Sequence, residues 1–274
     1  MNNILIATDF SDNSHKALQY AILIAQATGS DLYLIHTYLP RYVEPGIYAD
    51  ADTMQKALDD QRDSLYSKMV PLASKVEEAN IKCHVVLEMN DVISGVFDTV
   101  EKYNIDLIVM GRTGSGGFLS KLIGSNAAHI TAKAHIPVLT VPNQVEEVAI
   151  DKILYATQLE FDENHILAQV FELSHQLGAN VALTKVSAPF EPDIQSDKQF
   201  VEQIKTAFVK ETFSIDTTIS NSVTEGILTT AAERGVNLIV LAAHHRNFLT
   251  QLIDPSKSKQ VIIRSDIPVL TYQL

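Results

Sequence analysis

Cysteine occurs once in this chain, at Cys83, and tryptophan not at all. No intramolecular disulfide and no cysteine zinc cluster can be built, which fits a reducing cytoplasm. No apolar run approaches the roughly 20 residues needed to span a bilayer. The amino terminus, Met1-Asn2-Asn3-Ile4, has no basic region and its apolar stretch breaks at Asp9, so no secretory signal is expected. Positive charge is short as well: 21 Lys and Arg against 33 Asp and Glu give a formal net charge of -12. That balance opposes non-specific association with nucleic acid or anionic membrane. The expectation is a cytoplasmic protein with neither as partner. What is present is apolar: 46% hydrophobic residues against 20% charged over 274 residues, enough for a substantial core in one large domain or two ordinary ones.

Ile4 to Ala7, Leu32 to His36, Cys83 to Leu87, Leu107 to Met110 and Val138 to Val141 are short runs rich in Val, Ile and Leu, the signature of buried strands. Between them lie helical stripes: Ala17, Leu18, Ala21, Ile22 and Ala25; Leu58, Leu65, Met69, Leu72 and Val76; Val92, Ile93, Val96, Phe97 and Val100. Strands alternating with helices predict right-handed βαβ units and a parallel sheet covered on both faces.

The pattern then restarts. Asn3-Ile4-Leu5-Ile6-Ala7-Thr8 aligns with Lys152-Ile153-Leu154-Tyr155-Ala156-Thr157, an offset of 149 that also places Gly29 on Gly178. Asp106 to Met110 matches Asn237 to Leu241 at an offset of 131, and Ile136-Pro137-Val138-Leu139-Thr140 recurs verbatim as Ile267-Pro268-Val269-Leu270-Thr271. The chain therefore reads as two tandem copies, residues 1–143 and 150–274. The second is 18 residues shorter, a loss expected opposite Tyr38 to Ala79. The repeated pentapeptides predict last strands that cover each other's edges across a pseudo-two-fold axis within the chain, with association between chains left open.

Five of the eleven glycines, Gly111, Gly114, Gly116, Gly117 and Gly124, fall between the end of the fourth strand and a helical stretch at Asn126 to Ala134. Glycine costs about 0.5–1 kcal/mol inside regular structure and is tolerated where a chain turns or a ligand touches its backbone. Ligands of open parallel sheets sit at the carboxyl ends of the strands, and a helix amino terminus attracts anions. Backbone amides with the hydroxyls of Ser115 and Ser125 form a candidate phosphate cradle. It is not a Walker loop, and there is no strand-one GxGxxG.

The spacing Gly111-x2-Gly114-x9-Gly124-Ser125, with Ala7-Thr8-Asp9-Phe10-Ser11 after the first strand, resembles the nucleotide-binding class of the universal stress protein family. The resemblance covers both halves. It implies an α/β fold of two tandem adenine-nucleotide α-hydrolase-like, Rossmann-like domains, each a five-stranded parallel sheet flanked by helices. It implies an ATP site in which the Ala7-Thr8-Asp9 segment and the backbone near Thr37 meet the adenosine, and Met110 and Gly111 flank ribose and first phosphates. Gly114, Gly124, Ser125 and Asn126 would hold the phosphate chain. Thr37 and Asn126 stand where the family commonly has Val. Arg112 and Lys121 are candidate phosphate contacts by position in the loop. Mg or Mn would accompany the triphosphate through its own oxygens.

The second copy has Gln158 for Asp9, Ala242 for Gly111, His245 for Gly114 and Pro255 for Gly124, retaining only Ser256. It is expected to be structural or to bind something else. His244-His245-Arg246 reads as a polar loop, because neighbours on an extended chain point apart. No HExxH or nucleophile elbow occurs, so no catalytic residue is assigned. The expected function is a non-enzymatic, ATP-binding stress-response module with little or slow hydrolysis. The rivals are an ATP-cleaving or adenylyl-transferring enzyme of the same superfamily, against which Asn13-Ser14-His15-Lys16 lacks the HxGH pattern, and a nucleotide-free interaction protein.

Overall fold

The computed structural model describes residues 1–40, 51–113, 123–157, 163–188, 197–243 and 257–273. In the first half, β1 (Asn3–Ala7), β2 (Asp31–Thr37), β3 (Cys83–Glu88), β4 (Leu107–Gly111) and β5 (Val138–Val141) alternate with α1 (Asp12–Thr28), α2 (Ala51–Glu78), α3 (Val92–Tyr103) and α4 (Ser125–Lys133). The second half repeats the order with β6 (Lys152–Thr157), α5 (Asn164–Leu177), β7 (Asn180–Ser187), α6 (Asp197–Ala207) and β8 (Phe213–Ile219). It continues with α7 (Val223–Arg234), β9 (Leu238–Ala243), α8 (Lys257–Arg264) and β10 (Val269–Gln273).

The same local devices recur in both halves. α1 ends at Gly29 and α5 at Gly178, with φ of 71° and 68°, a left-handed cap that glycine adopts without a Cβ penalty. Before β1, the Asp106 carboxylate accepts from the amides of Asn2 and Asn3 at 2.6 and 3.1 Å. Before β6, the Asn237 side chain accepts from Asp151 and Lys152, both at 3.1 Å. Each satisfies strand-end donors that would otherwise have no partner.

All ten strands join one sheet in the order β3-β2-β1-β4-β5-β10-β9-β6-β7-β8. Each half is parallel, and the halves meet at the antiparallel pair β5–β10, where Leu139 faces Leu270 and Val138 faces Thr271. These are the repeated pentapeptides, paired about the pseudo-two-fold axis as expected. One core lies under α1, α2 and α5 and runs unbroken from Ile4 and Leu34 to Tyr155 and Leu183. On the other face, separate clusters under α3 and α4 and under α7 and α8 meet at Ile123. The segment after β5 is pinned to α1 by Lys16, whose Nζ donates to the carbonyls of Asn143 and Val145 at 2.6 and 2.8 Å.

The shortening of the second half falls between β7 and β8, where α6 has 11 residues against 28 in α2. The long helix also departs from its sequence pattern. Met69, Leu72, Ala73 and Val76 are buried, but Leu58 and Leu65 are only half-buried. At about 1.5 Å per residue α2 is roughly twice as long as a six-residue strand, so its first half overhangs the sheet.

Candidate functional site

In the first half the crossovers reverse direction between β1 and β4. The switch point of the sheet thus lies between β1 and β4, the place at whose carboxyl ends open parallel sheets hold their ligands. The paired register of Ala7 with Ile35 and Met110 sets the ends of β1, β2 and β4 side by side. That brings Ala7, Thr8, Asp9, Thr37, Met110 and Gly111 to one edge of the sheet. Met110 contributes main chain only, since its side chain is buried in the core.

The β1–α1 turn is fixed by its own side chains. Thr8 is buried: its amide donates to Ile35 O at 2.9 Å, and its Oγ1 accepts from the Phe10 amide at 3.1 Å and lies 3.0 Å from Ser14 Oγ. Asp9 Oδ1 accepts from the amide and hydroxyl of Ser11 at 3.1 and 2.5 Å, and Ser11 caps α1 by accepting from the Ser14 amide. Phe10 is left at φ 64°, an uncommon conformation for a residue with a Cβ. Its ring packs 4.4 Å from His36, whose Nδ1 lies 2.8 Å from Thr8 O. Lys68 of α2 stands 5.8 Å from the Phe10 ring.

On the other side of the switch point, a Cβ on Gly111 would come within 2.7 Å of Asn13 Nδ2. Asn13 is buried and donates to Thr113 O and Oγ1 at 2.9 and 3.3 Å, tying the first turn of α1 to the loop after β4. Its Oδ1 is buried without a hydrogen bond among the described residues. The loop base closes at Arg112, whose amide donates to Val141 O and whose carbonyl accepts from the Gly124 amide, both at 2.8 Å. Gly124 is the N-cap of α4 and offers no side-chain bond. The amides of its first turn therefore end at the exposed residues Ser125 and Asn126, in the electropositive position that favours an anion. Thr37 ends β2 with its Cγ2 only 2.6 Å from where a Gly95 Cβ would stand. Gly114 and the rest of 114–122, including Ser115 and Lys121, lie outside the described residues.

Arg112 is the sequence candidate that the structure sends elsewhere. Its side chain is 2% exposed and turns from the loop into the second half. Nη1 donates to the carbonyls of Ile262 and Ser265 at 3.0 and 2.5 Å, and Nη2 to Gln144 Oε1 at 3.1 Å. Burial lowers its pKa from the ordinary guanidinium range, with Asp266 opposing. The reason is geometric: the end of α8 offers carbonyls that helix geometry leaves without partners. Asn13, Ser14 and His36 were not singled out from the sequence. The Ser11-x-x-Ser14 capping pattern was readable there, whereas the Asn13–Thr113 contact spans 100 residues.

At the matching place in the second half, Ala242 replaces Gly111, Glu163 replaces Ser14 and Lys185 replaces His36. Glu163 is buried and accepts from Tyr155 OH at 2.9 Å. Burial, then the Glu163 charge, pushes the Tyr155 pKa up. A cavity of about 50 Å³ remains, lined by Thr157, Glu163, Thr184, Val186 and Lys257 among others. Gln158, the 244–246 segment, Pro255 and Ser256 lie outside the described residues. Among the described residues no group of three His, Cys, Asp or Glu is placed to hold a metal ion. No described helix is long and apolar enough to cross a membrane.

The family model described as "Universal stress protein family" matches twice, over residues 1–142 and 149–273. The chain belongs to the universal stress protein family. Among its relatives, a universal stress protein of Methanocaldococcus jannaschii (MJ0531) is 30% identical over 145 residues, 53% of this chain and 84% of that one. A universal stress protein of Synechocystis (Slr1230) is 23% identical across the full length of both chains. The crystal structure of a universal stress protein from Archaeoglobus fulgidus covers 99% of this chain and 98% of its own at 19% identity, with a TM-score of 0.75. The tandem Rossmann-like architecture is therefore that of the family.

Proposed function

We propose that this universal stress protein binds one adenine nucleotide per chain, in the crevice between β1 and β4, as a regulatory module rather than an enzyme. The observation that carries the reading is convergence at the switch point of the first half. The Asp9 turn, the bare backbone of Gly111 and the amino terminus of α4 come to one sheet edge, and the Gly111-x2-Gly114-x9-Gly124-Ser125 spacing joins them. The donor chemistry fits. Amides and the hydroxyl of Ser125 suit phosphate oxygens, the Asp9 carboxylate suits sugar hydroxyls, and the buried, unbonded Asn13 Oδ1 suits a hydroxyl or a cation-held water. Mg or Mn would ride on the phosphate oxygens, since no carboxylate cage is present among the described residues.

In the second half the pocket walls carry Glu163 in place of a hydroxyl, and a buried carboxylate repels phosphate. One site per chain follows. The test is thermal unfolding with and without Mg·ATP, together with titration calorimetry, on the wild type and on Gly114→His, the residue the second copy carries at that place. Loss of even a micromolar site removes about 8 kcal/mol of binding free energy. The variant is expected to keep its circular dichroism spectrum and lose the nucleotide-induced rise in Tm. A wild-type thermal shift in the variant, or two equivalent sites by calorimetry, overturns the reading.

A further inference from the structure

Arg112 is among the largest fully buried side chains of the protein, and the nucleotide site proposed above has no use for its guanidinium. Its main chain does two things at the base of that site. The amide fastens the loop to β5 through Val141, and the carbonyl holds the Gly124 amide that starts α4. Its side chain caps α8 of the other domain at Ile262 and Ser265. One residue thus joins the amino terminus of α4 to the carboxyl terminus of α8.

A second contact joins the same two domains at the far end of α4. Gln273 of β10 donates its Nε2 to Thr131 O at 2.6 Å. Thr131 and Ile262 are equivalent under the repeat, so each domain caps the other's last helix. The means differ. The domain-two position matching Arg112 is Ala243, so the guanidinium link runs only from the first loop to the second domain. α4 is therefore held at both ends by groups that touch domain two, and a helix held in this way cannot shift without disturbing them.

We propose that Arg112 is a positioning residue that couples the nucleotide site of domain one to the carboxyl end of α8 in domain two, so that ligand at the first stabilises the second. The proposal rests on the nucleotide reading for its ligand. Reciprocity follows from linkage: a contact that presents Gly124 and α4 in the binding arrangement strengthens binding by the same factor by which binding strengthens the contact. The second domain, without a nucleotide of its own, then acts as the reader of the first.

Hydrogen–deuterium exchange on the full chain tests this, with Arg112→Met removing the donors at similar length and Arg112→Lys retaining a single charged donor. In the wild type, saturating Mg·ATP is expected to slow exchange in 110–113 and 123–128 and also in 259–266. In Arg112→Met the effect at 259–266 should vanish and the Kd should weaken about tenfold, within the usual range of coupling factors, with Arg112→Lys in between. Protection confined to domain one in the wild type, or an undiminished α8 response in Arg112→Met, overturns the proposal. If the wild type binds no adenine nucleotide, the functional reading fails separately. The coupling is then judged without ligand: Arg112→Met must speed exchange in both 123–128 and 259–266, and a change in 259–266 alone reduces Arg112 to a helix cap. If Arg112→Met does not fold, Arg112→Lys decides by the same criteria.

Discussion

The two halves share the contacts that set their strand ends and helix caps and differ at several positions along the carboxyl ends of their strands. Gly95 of α3 faces Thr37 and Gly226 of α7 faces Val186, the same close approach of helix to strand end in both copies. The strand-end bonds of Asp106 and Asn237 coincide, and so do the left-handed caps at Gly29 and Gly178. Against this shared frame stand Gly111 and Ala242, Ser14 and Glu163, His36 and Lys185, Arg112 and Ala243. All lie at the carboxyl ends of strands or in the first turn beyond them. The difference teaches that the frame's geometry does not depend on those residues: one copy has exchanged a glycine and a hydroxyl there for a methyl and a carboxylate without altering strand order or register.

The comparison breaks most visibly if the copies are separated. A fragment of residues 1–143 exposes β5, a fully buried strand with an apolar edge, and such edges pair with whatever strand is offered. Sedimentation is expected to show dimers or larger species, and a stable monomer would mean that the β5–β10 pairing is not what covers that edge. The shared frame can be tested at its tightest point. A Cβ at position 226 would overlap Val186 Cγ1 and lie 3.0 Å from Ser220, and one at position 95 would lie 2.6 Å from Thr37 Cγ2. Overpacking of this kind costs about 1–3 kcal/mol. Urea unfolding should find both Gly226→Ala and Gly95→Ala destabilised, the former more, and an unchanged midpoint for either would show that the helix can lift without loss.

The smallest effect concerns charge. Asp31 bonds His84 and Lys82 at 3.1 Å, and the His84 bond first, with Lys82 adding to it, lowers the Asp31 pKa. The second copy has Asn180 at this place. A carboxyl whose folded pKa lies below its unfolded value adds stability above the unfolded value and loses it as pH falls through the folded one. Because the pair is partly exposed, the contribution is only a few tenths of a kcal/mol. Asp31→Asn should lower stability by that amount at neutral pH and leave it unchanged under acid conditions, where the wild-type carboxyl is protonated. An equal deficit at both pH values would assign the loss to packing.

The repeat, the strands and the helical stripes were legible because each is written locally, in apolar period. The site at the carboxyl end of β4 was legible from the glycines that follow it, whereas the strand order that puts the switch point between β1 and β4 is written in no single segment. Arg112 was not legible. A cation in a glycine-rich loop suggests phosphate, but two of its acceptors are main-chain carbonyls 150 and 153 residues away, and a carbonyl carries no residue identity to read. Asn13 escaped notice for a related reason, since it earns its role only when α1 and β4 are neighbours. The half-bare stripe of α2 shows the converse: Leu58 and Leu65 keep helical spacing where no sheet lies beneath them.

The antiparallel seam at Leu139 and Leu270 has a consequence for how such a protein behaves in dilute solution. Two separate domains meeting at this seam would form a complex whose population falls as the chains are thinned out. Here a short tether from β5 to β6 keeps the partners at an effective concentration on the order of millimolar, whatever the number of molecules present. The paired state is then independent of expression level. It is also free to be unequal, because a substitution in one half is not copied into the other, as it must be when two identical chains assemble.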